Sequence, residues 1–265
     1  MAGILPIFEE LRLSFVNAVM FCRAEPGTKA VHRVRTGARR LEALLFKVAE
    51  DHPQATGLQS ALKGALKQVG RIRKAAGTVR DLDVQMGLAE EVADALRLRK
   101  RGEAREEITD EYERLDGYLR RKRKKRSVIL DTELKKSELK MERSLEGIAD
   151  EIASLTSHPP SLLVTARRWT RLTAARMGEL NEGNLHEYRK RTKAARYVAE
   201  EQEGPAALRF AAKLRQVQDV IGAWHDWALL SELAVEVLGG DAAMTAAFVL
   251  RRKRSLKVAL RVQAR

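Results

Sequence analysis

One ordered pair of motifs occurs twice in this chain, and no other feature constrains its fold as strongly. The first copy is His32-Arg33-Val34-Arg35-Thr36-Gly37-Ala38-Arg39-Arg40-Leu41, followed by Gly77-Thr78-Val79-Arg80-Asp81-Leu82. The second begins at Leu185-His186-Glu187-Tyr188-Arg189-Lys190-Arg191-Thr192-Lys193-Ala194-Ala195-Arg196 and continues at Gly222-Ala223-Trp224-His225-Asp226-Trp227. The order is the same, and the gaps between the motifs differ by only nine residues. An internal duplication of this kind sets the architecture before any single residue does.

On a helix, His32, Arg35 and Arg39 fall within roughly 60° of one another. Val31, Val34, Ala38, Leu41, Leu45 and Val48 form a neighbouring apolar stripe, so the same helix has a face to bury. In the second copy His186, Arg189 and Lys193 repeat the cationic spacing beside Leu185, Tyr188, Thr192, Ala195 and Ala199. Like charges three or four residues apart repel by a few tenths of a kcal/mol, so a soluble helix usually mixes signs. A cationic edge with no acid before Glu42 therefore points to an anionic ligand.

The chain of 265 residues is 45% hydrophobic, which is enough to bury a core. Aromatics make up only 5%, so that core is mostly Leu, Val, Ile and Ala, as in helix-on-helix packing. A net charge of +14 favours a polyanionic partner. Cys22 is the one cysteine and lies among apolar residues, which suits an inert buried thiol and a reducing compartment. The expected location is the cytoplasm. No stretch approaches the ~20 apolar residues that cross a bilayer, and Glu9 and Glu10 stand where a signal peptide would be apolar.

No segment alternates with period two over a useful length, so the expected fold class is all-α. The periodicity predicts helices over 4–24, from Thr28 or Lys29 to about Glu50, over 55–76 and over 79–100. Gly77 reads as the C-terminal stop of the third helix and Thr78 as the cap of the fourth. The charged stretch from Glu103 to Glu151 reads as helical with a hinge near Ser127. His158-Pro159-Pro160 is the clearest boundary. Beyond it come 161–179, 184–201, 206–221 and 224–238, with Gly222 as a break, and a last helix capped by Asp241 that runs to Leu260.

Taken together, these residues resemble the CHAD family, the conserved histidine α-helical domain. The resemblance is carried by His32-Arg33-Val34-Arg35 with Arg39-Arg40-Leu41, by Arg80-Asp81-Leu82-Asp83-Val84, by His186-Glu187-Tyr188-Arg189 with Lys193 and Arg196-Tyr197, and by Gln218-Asp219-Val220-Ile221-Gly222 with Asp226. It implies two pseudo-symmetric bundles of about four helices whose basic surfaces face a central groove or pore. It also implies binding of inorganic polyphosphate, with an association to polyphosphate granules, rather than catalysis. The expected organisation is a single domain, 1–265, made of repeat halves 4–126 and 160–263 joined by the charged segment of about 103–157. The chain departs from the family pattern at Ala194, where a second basic residue is usual, and at His225, where Asn is usual.

The expected phosphate ligands are His32, Arg35, Arg39, Arg40, His186, Arg189 and Lys193, joined by Arg80 and Arg196 of the family motifs and by Lys190. Guanidinium groups can fork onto phosphate oxygens, whereas ammonium groups act as point charges. Lys63, Lys67, Arg71, Arg73 and Lys74 surround too much of their helix for all to face one groove; Lys67, Arg71 and Arg73 are assigned to the site. Lys213 and Arg215 are the second-half candidates. Asp81 and Asp226 read as structural partners. The five histidines form no metal set, so neither metal nor cofactor is expected. The seven consecutive cations of Arg120–Arg126 read as projecting into solvent. Two alternatives stand beside polyphosphate binding: an RNA-binding protein, favoured by charge alone, and a phosphatase or phosphotransferase using a motif histidine. The first lacks a base-reading signature. The second lacks a Walker loop, a convincing nucleophile and an acidic metal cluster.

Overall fold

The computed structural model describes residues 3–155 and 160–261, so the boundary at His158-Pro159 lies outside the described residues. Among the described residues, eight helices follow one another: α1 (Ile4–Ala24), α2 (Thr28–Asp51), α3 (Thr56–Arg97), α4 (Glu103–Ala153), α5 (Leu162–Met177), α6 (Leu185–Glu200), α7 (Pro205–Leu238) and α8 (Ala243–Arg261). There is no strand among the described residues, as the absence of period-two patterning requires. None of these helices is long and apolar enough to cross a membrane.

Three expected breaks are absent. Helix α3 runs unbroken through Gly77, and α7 runs unbroken through Gly222. Neither glycine has the positive φ of a helix terminator, whereas Gly239, with φ of 96°, does end α7 as expected. Thr78 does not open a new helix; its Oγ donates back to the Ala75 carbonyl at 2.8 Å within the continuing one. Helix α4 likewise passes Ser127 without a hinge, because the flanking Arg and Lys residues are good helix formers and one serine does not stop them.

The chain divides into two compact units. The first comprises Met1–Arg80, Arg126–Arg176 and Arg191–Leu214; the second comprises Asp81–Lys125, Met177–Lys190 and Arg215–Arg265. Within the first unit, Phe8 and Phe15 of α1, Leu41, Leu44 and Leu45 of α2, and Leu58, Leu62 and Ile72 of α3 are fully buried in one core. Lys47 is also buried there, held by Asp51 one turn on. A separate cluster of alanines packs α5, α6 and α7 together through Ala166, Ala195, Ala199 and Ala211. Such small side chains let helix axes approach closely.

In the second unit Leu82, Val92, Ile108, Leu115, Leu119, Trp227, Leu230 and Phe248 form the core. The start of α8 is closed from a distance. Both carboxylate oxygens of Glu111 accept backbone N–H groups, from Ala243 at 2.9 Å and from Met244 at 2.8 Å. Asp241, the expected cap, is replaced in that role by a buried acid on α4, which satisfies two orphan donors and faces the positive end of the helix dipole. The basic run of α4 also turns partly inward. Arg123 donates to Asp83 at 2.5 Å, and the Asp83 side chain is only 3% exposed. Arg120 pairs with Asp116 along the helix, while Arg121, Lys124, Lys125 and Arg126 remain exposed. The run therefore does not project as one block.

Candidate anion-binding site

Within the first unit, α2 buries Ala30, Val31, Val34, Ala38, Leu41, Leu45 and Val48. That fixes its rotation and leaves His32 exposed, with Arg35 and Arg39 half-buried at the margin, as the apolar stripe predicts. Contacts with α3 set the direction of the pair. Arg35 Nε lies 3.5 Å from where a Cβ on Gly77 would stand, Arg73 Nε meets Glu42 Oε2 at 2.6 Å, and Gln59 donates to the Ala49 carbonyl at 2.7 Å. Low numbers on α2 match high numbers on α3, so the helices are antiparallel.

Arg80 comes close enough to act on His32. Burial first, then the charges of Arg80 and Arg35, push the imidazole pKa below its ordinary value. A bound anion would reverse the electrostatic part of that shift, because it favours the protonated ring.

Arg40, Arg73 and Arg196 have partners within the first unit. Arg40 forms a fork on Glu201, Nε to Oε1 at 2.7 Å and Nη2 to Oε2 at 3.0 Å. Burial pushes the Glu201 carboxyl above its ordinary value even against this pairing. Arg73 is held by Glu42, whose pKa burial likewise raises while the Arg73 and Arg39 charges oppose the shift. Arg196 lies over the Tyr197 ring at 4.5 Å and stands 3.8 Å from Glu200. Lys193 is only 9% exposed. By contrast Lys63, Lys67, Arg71, Lys74 and Lys213 are exposed.

The second copy has its own local geometry in the second unit. Arg189 lies against Gly222 so closely that a Cβ there would be 2.7 Å from Nη2, and its Nε donates to the Gln218 carbonyl at 3.2 Å. Gly77 and Gly222 are thus matching seats for the matching arginines Arg35 and Arg189. The same correspondence extends to the histidines. Arg80 acts on His32, and His225, which occupies the position of Arg80 in the second motif, packs its ring 4.1 Å from that of His186. Charge is more balanced here: Arg189, Asp219 and Asp226 line an open pocket of about 300 Å³ together with Val84, Leu88 and Trp227. Lys190 pairs with Glu187 at 2.9 Å, and Arg215 is exposed.

The structure thus gathers His32, Arg35, Arg39, Lys67, Arg71 and Arg80 on the α2–α3 pair. It turns Arg40 and Arg73 onto carboxylates, and places His186, Arg189, Lys190 and Arg215 in the other unit. Sequence reasoning missed the two glycine seats, although glycine at the same place in both halves was their visible signal. Among the described residues no group of acids, histidines and cysteine could hold a metal ion.

A search among curated proteins returns no match. The crystal structure of the CHAD domain from the plant Ricinus communis superposes with a TM-score of 0.63 at 17% identity, covering 97% of this chain and 86% of that one. PptA from Streptomyces chartreusis is similar with a TM-score of 0.56 at 15% identity, covering 98% of this chain and 95% of that one. At these identities the likeness concerns the fold. The CHAD domain itself matches residues 17–235, the span that carries both histidine helices and both glycine seats, and the chain belongs to the CHAD domain family.

Proposed function

We propose that this protein binds inorganic polyphosphate and does not act on it chemically. The observation that carries this reading is the cluster of His32, Arg35 and Arg80, in which burial and like charge depress the imidazole pKa, beside the exposed cations of α3. An anion bound beside the ring would offset the charges of Arg80 and Arg35 and favour the protonated imidazole. The general association of the CHAD family with polyphosphate supports the same ligand. A linear polymer with a charge on every phosphate would release its counterions as it engages several cations, so binding is multivalent and salt-sensitive. The proposed setting is the cytoplasm, at polyphosphate granules.

Competition with nucleic acid tests the assignment. Polyphosphate carries denser charge and no bases, so more of its phosphates reach the cations per unit length. At moderate salt and equal phosphate concentration, it should displace single-stranded RNA. Displacement of polyphosphate by RNA would overturn the reading in favour of an RNA-binding protein. Chain length followed by gel electrophoresis should stay constant during incubation with the protein; shortening would show a phosphatase instead.

A further inference from the structure

The outer face of α1 carries no charge, in a chain of which 32% is charged. Every exposed residue from Leu13 to Ala24, namely Leu13, Ser14, Asn17, Met20, Phe21 and Ala24, is neutral. At 100° per residue the six fall within an arc of about 120°. That arc lies opposite the core residues Phe8, Leu11, Phe15 and Val19, so packing within the first unit does not account for it. Met20 is 55% exposed and Phe21 47%.

Helix α4 lies beside α1 in the same unit. Arg12 meets Glu146 at 3.7 Å, and the charge of Asp131 acts on the Cys22 thiol. The two helices are therefore antiparallel, with the last turns of α1 level with the stretch around Asp131. That stretch exposes Val128 at 62% and Ile129 at 46%. Both are β-branched, which lowers helix propensity, and the half of each that faces water gains no packing in return.

The surroundings of these four apolar side chains are cationic. Arg33 lies over the Phe21 ring at 5.7 Å, and Lys29, Arg126, Lys135 and Lys136 are exposed at this end of the unit. The acids there are fewer: Glu25, Glu133, and Asp131, which pairs with Lys135 at 2.6 Å.

We propose that this end of the first unit docks on an anionic lipid surface. Met20, Phe21, Val128 and Ile129 enter the boundary between headgroups and acyl chains, and the surrounding cations meet the lipid phosphates. Long Lys and Arg stems let charged heads stay at the headgroups while the apolar side chains dip below them. A phosphate polymer or a nucleic-acid backbone offers nothing to the four apolar side chains. A second copy of the chain fits less well. At roughly 100 Å² each, the four offer about 400 Å², half of the ~800 Å² that each partner of a stable complex buries. Each copy would also bring the same cations to the contact. None of the helices is long and apolar enough to cross a membrane, so the protein lies on the surface and leaves it readily. Docking uses none of the cations of α3, and stands apart from polyphosphate binding.

The test is co-sedimentation of the full chain with vesicles of phosphatidylcholine mixed with phosphatidylglycerol, and with vesicles of phosphatidylcholine alone. The protein should sediment with the mixed vesicles only, and added salt should release it. M20S/F21S/V128S/I129S should partition about ten-fold more weakly. M20S/F21S and V128S/I129S should each lose about three-fold, which keeps the test decisive if the quadruple variant folds poorly. Failure of the unmodified protein to sediment with the mixed vesicles would overturn the proposal. Undiminished binding by the serine variants would overturn it too, because net charge alone would then hold the protein to the lipid. A dimer in analytical ultracentrifugation that the serine variants abolish would assign the face to a second copy instead.

Discussion

The two glycine seats make a prediction of opposite signs for one substitution. Alanine is more favourable than glycine inside a helix by about 0.8–1 kcal/mol, so on helical grounds alone Gly77→Ala and Gly222→Ala should both stabilise. At Gly77 the new Cβ would stand 3.5 Å from Arg35 Nε, an ordinary contact, and the full helical gain of about 1 kcal/mol should appear. At Gly222 the Cβ would stand 2.7 Å from Nη2 of Arg189, closer than real Cβ contacts come, and a tight 3.1 Å from its Nε. The guanidinium must move, and its 3.2 Å bond to the Gln218 carbonyl is lost. A charge-assisted bond of this kind contributes about 1.5–3 kcal/mol, which exceeds the helical gain. Gly222→Ala should therefore destabilise by about 0.5–2 kcal/mol. Urea denaturation followed by circular dichroism gives both values from the midpoints, provided the slopes match. The second check is Gly222→Ala with Arg189→Met, where removal of the guanidinium head should restore the gain. Stabilisation by Gly222→Ala alone would refute the argument that the glycine is there for the arginine.

Two further outcomes follow from the electrostatics and the capping. The His32 pKa is depressed in the free protein by burial, Arg80 and Arg35, and a bound polyanion raises it, so binding takes up a proton. Polyphosphate affinity should rise as pH falls through the bound-state pKa, and level off below the depressed free value. His32→Gln should flatten that part of the profile relative to the unmodified protein, and an unchanged profile would remove His32 from the site. Glu111→Ala should cost about 1–3 kcal/mol in urea denaturation, because two backbone donors at the start of α8 lose their acceptor, and Glu111→Gln should recover part of it. A loss under about 0.5 kcal/mol, the level of an ordinary surface change, would show that solvent caps α8 adequately.

Much of this protein is legible in the sequence because helical periodicity is local. The stripe from Val31 to Val48 announced which side of α2 is buried, and hence where His32, Arg35 and Arg39 stand. Duplication announced that Arg35 and Arg189 have matching surroundings, and both do face a glycine. What local rules mistook was the purpose of those glycines. A glycine after a run of helical spacing resembles a terminator, and only the approach of Arg189 from another helix shows why Gly222 lies mid-helix, whereas a Cβ at Gly77 would make an ordinary contact with Arg35. The same limit governs charge. Arg40 looks like any other cation of the motif in sequence, but its fork is closed by Glu201, 161 residues away. Arg123 looks like one of seven solvated cations until Asp83 is brought to it. The cap of α8 comes from Glu111, although Asp241 sits two residues before the helix. Periodicity over a few turns determines which face of a helix is wet. Which wet charges remain uncompensated depends on carboxylates that are distant in the chain, and only tertiary packing decides that.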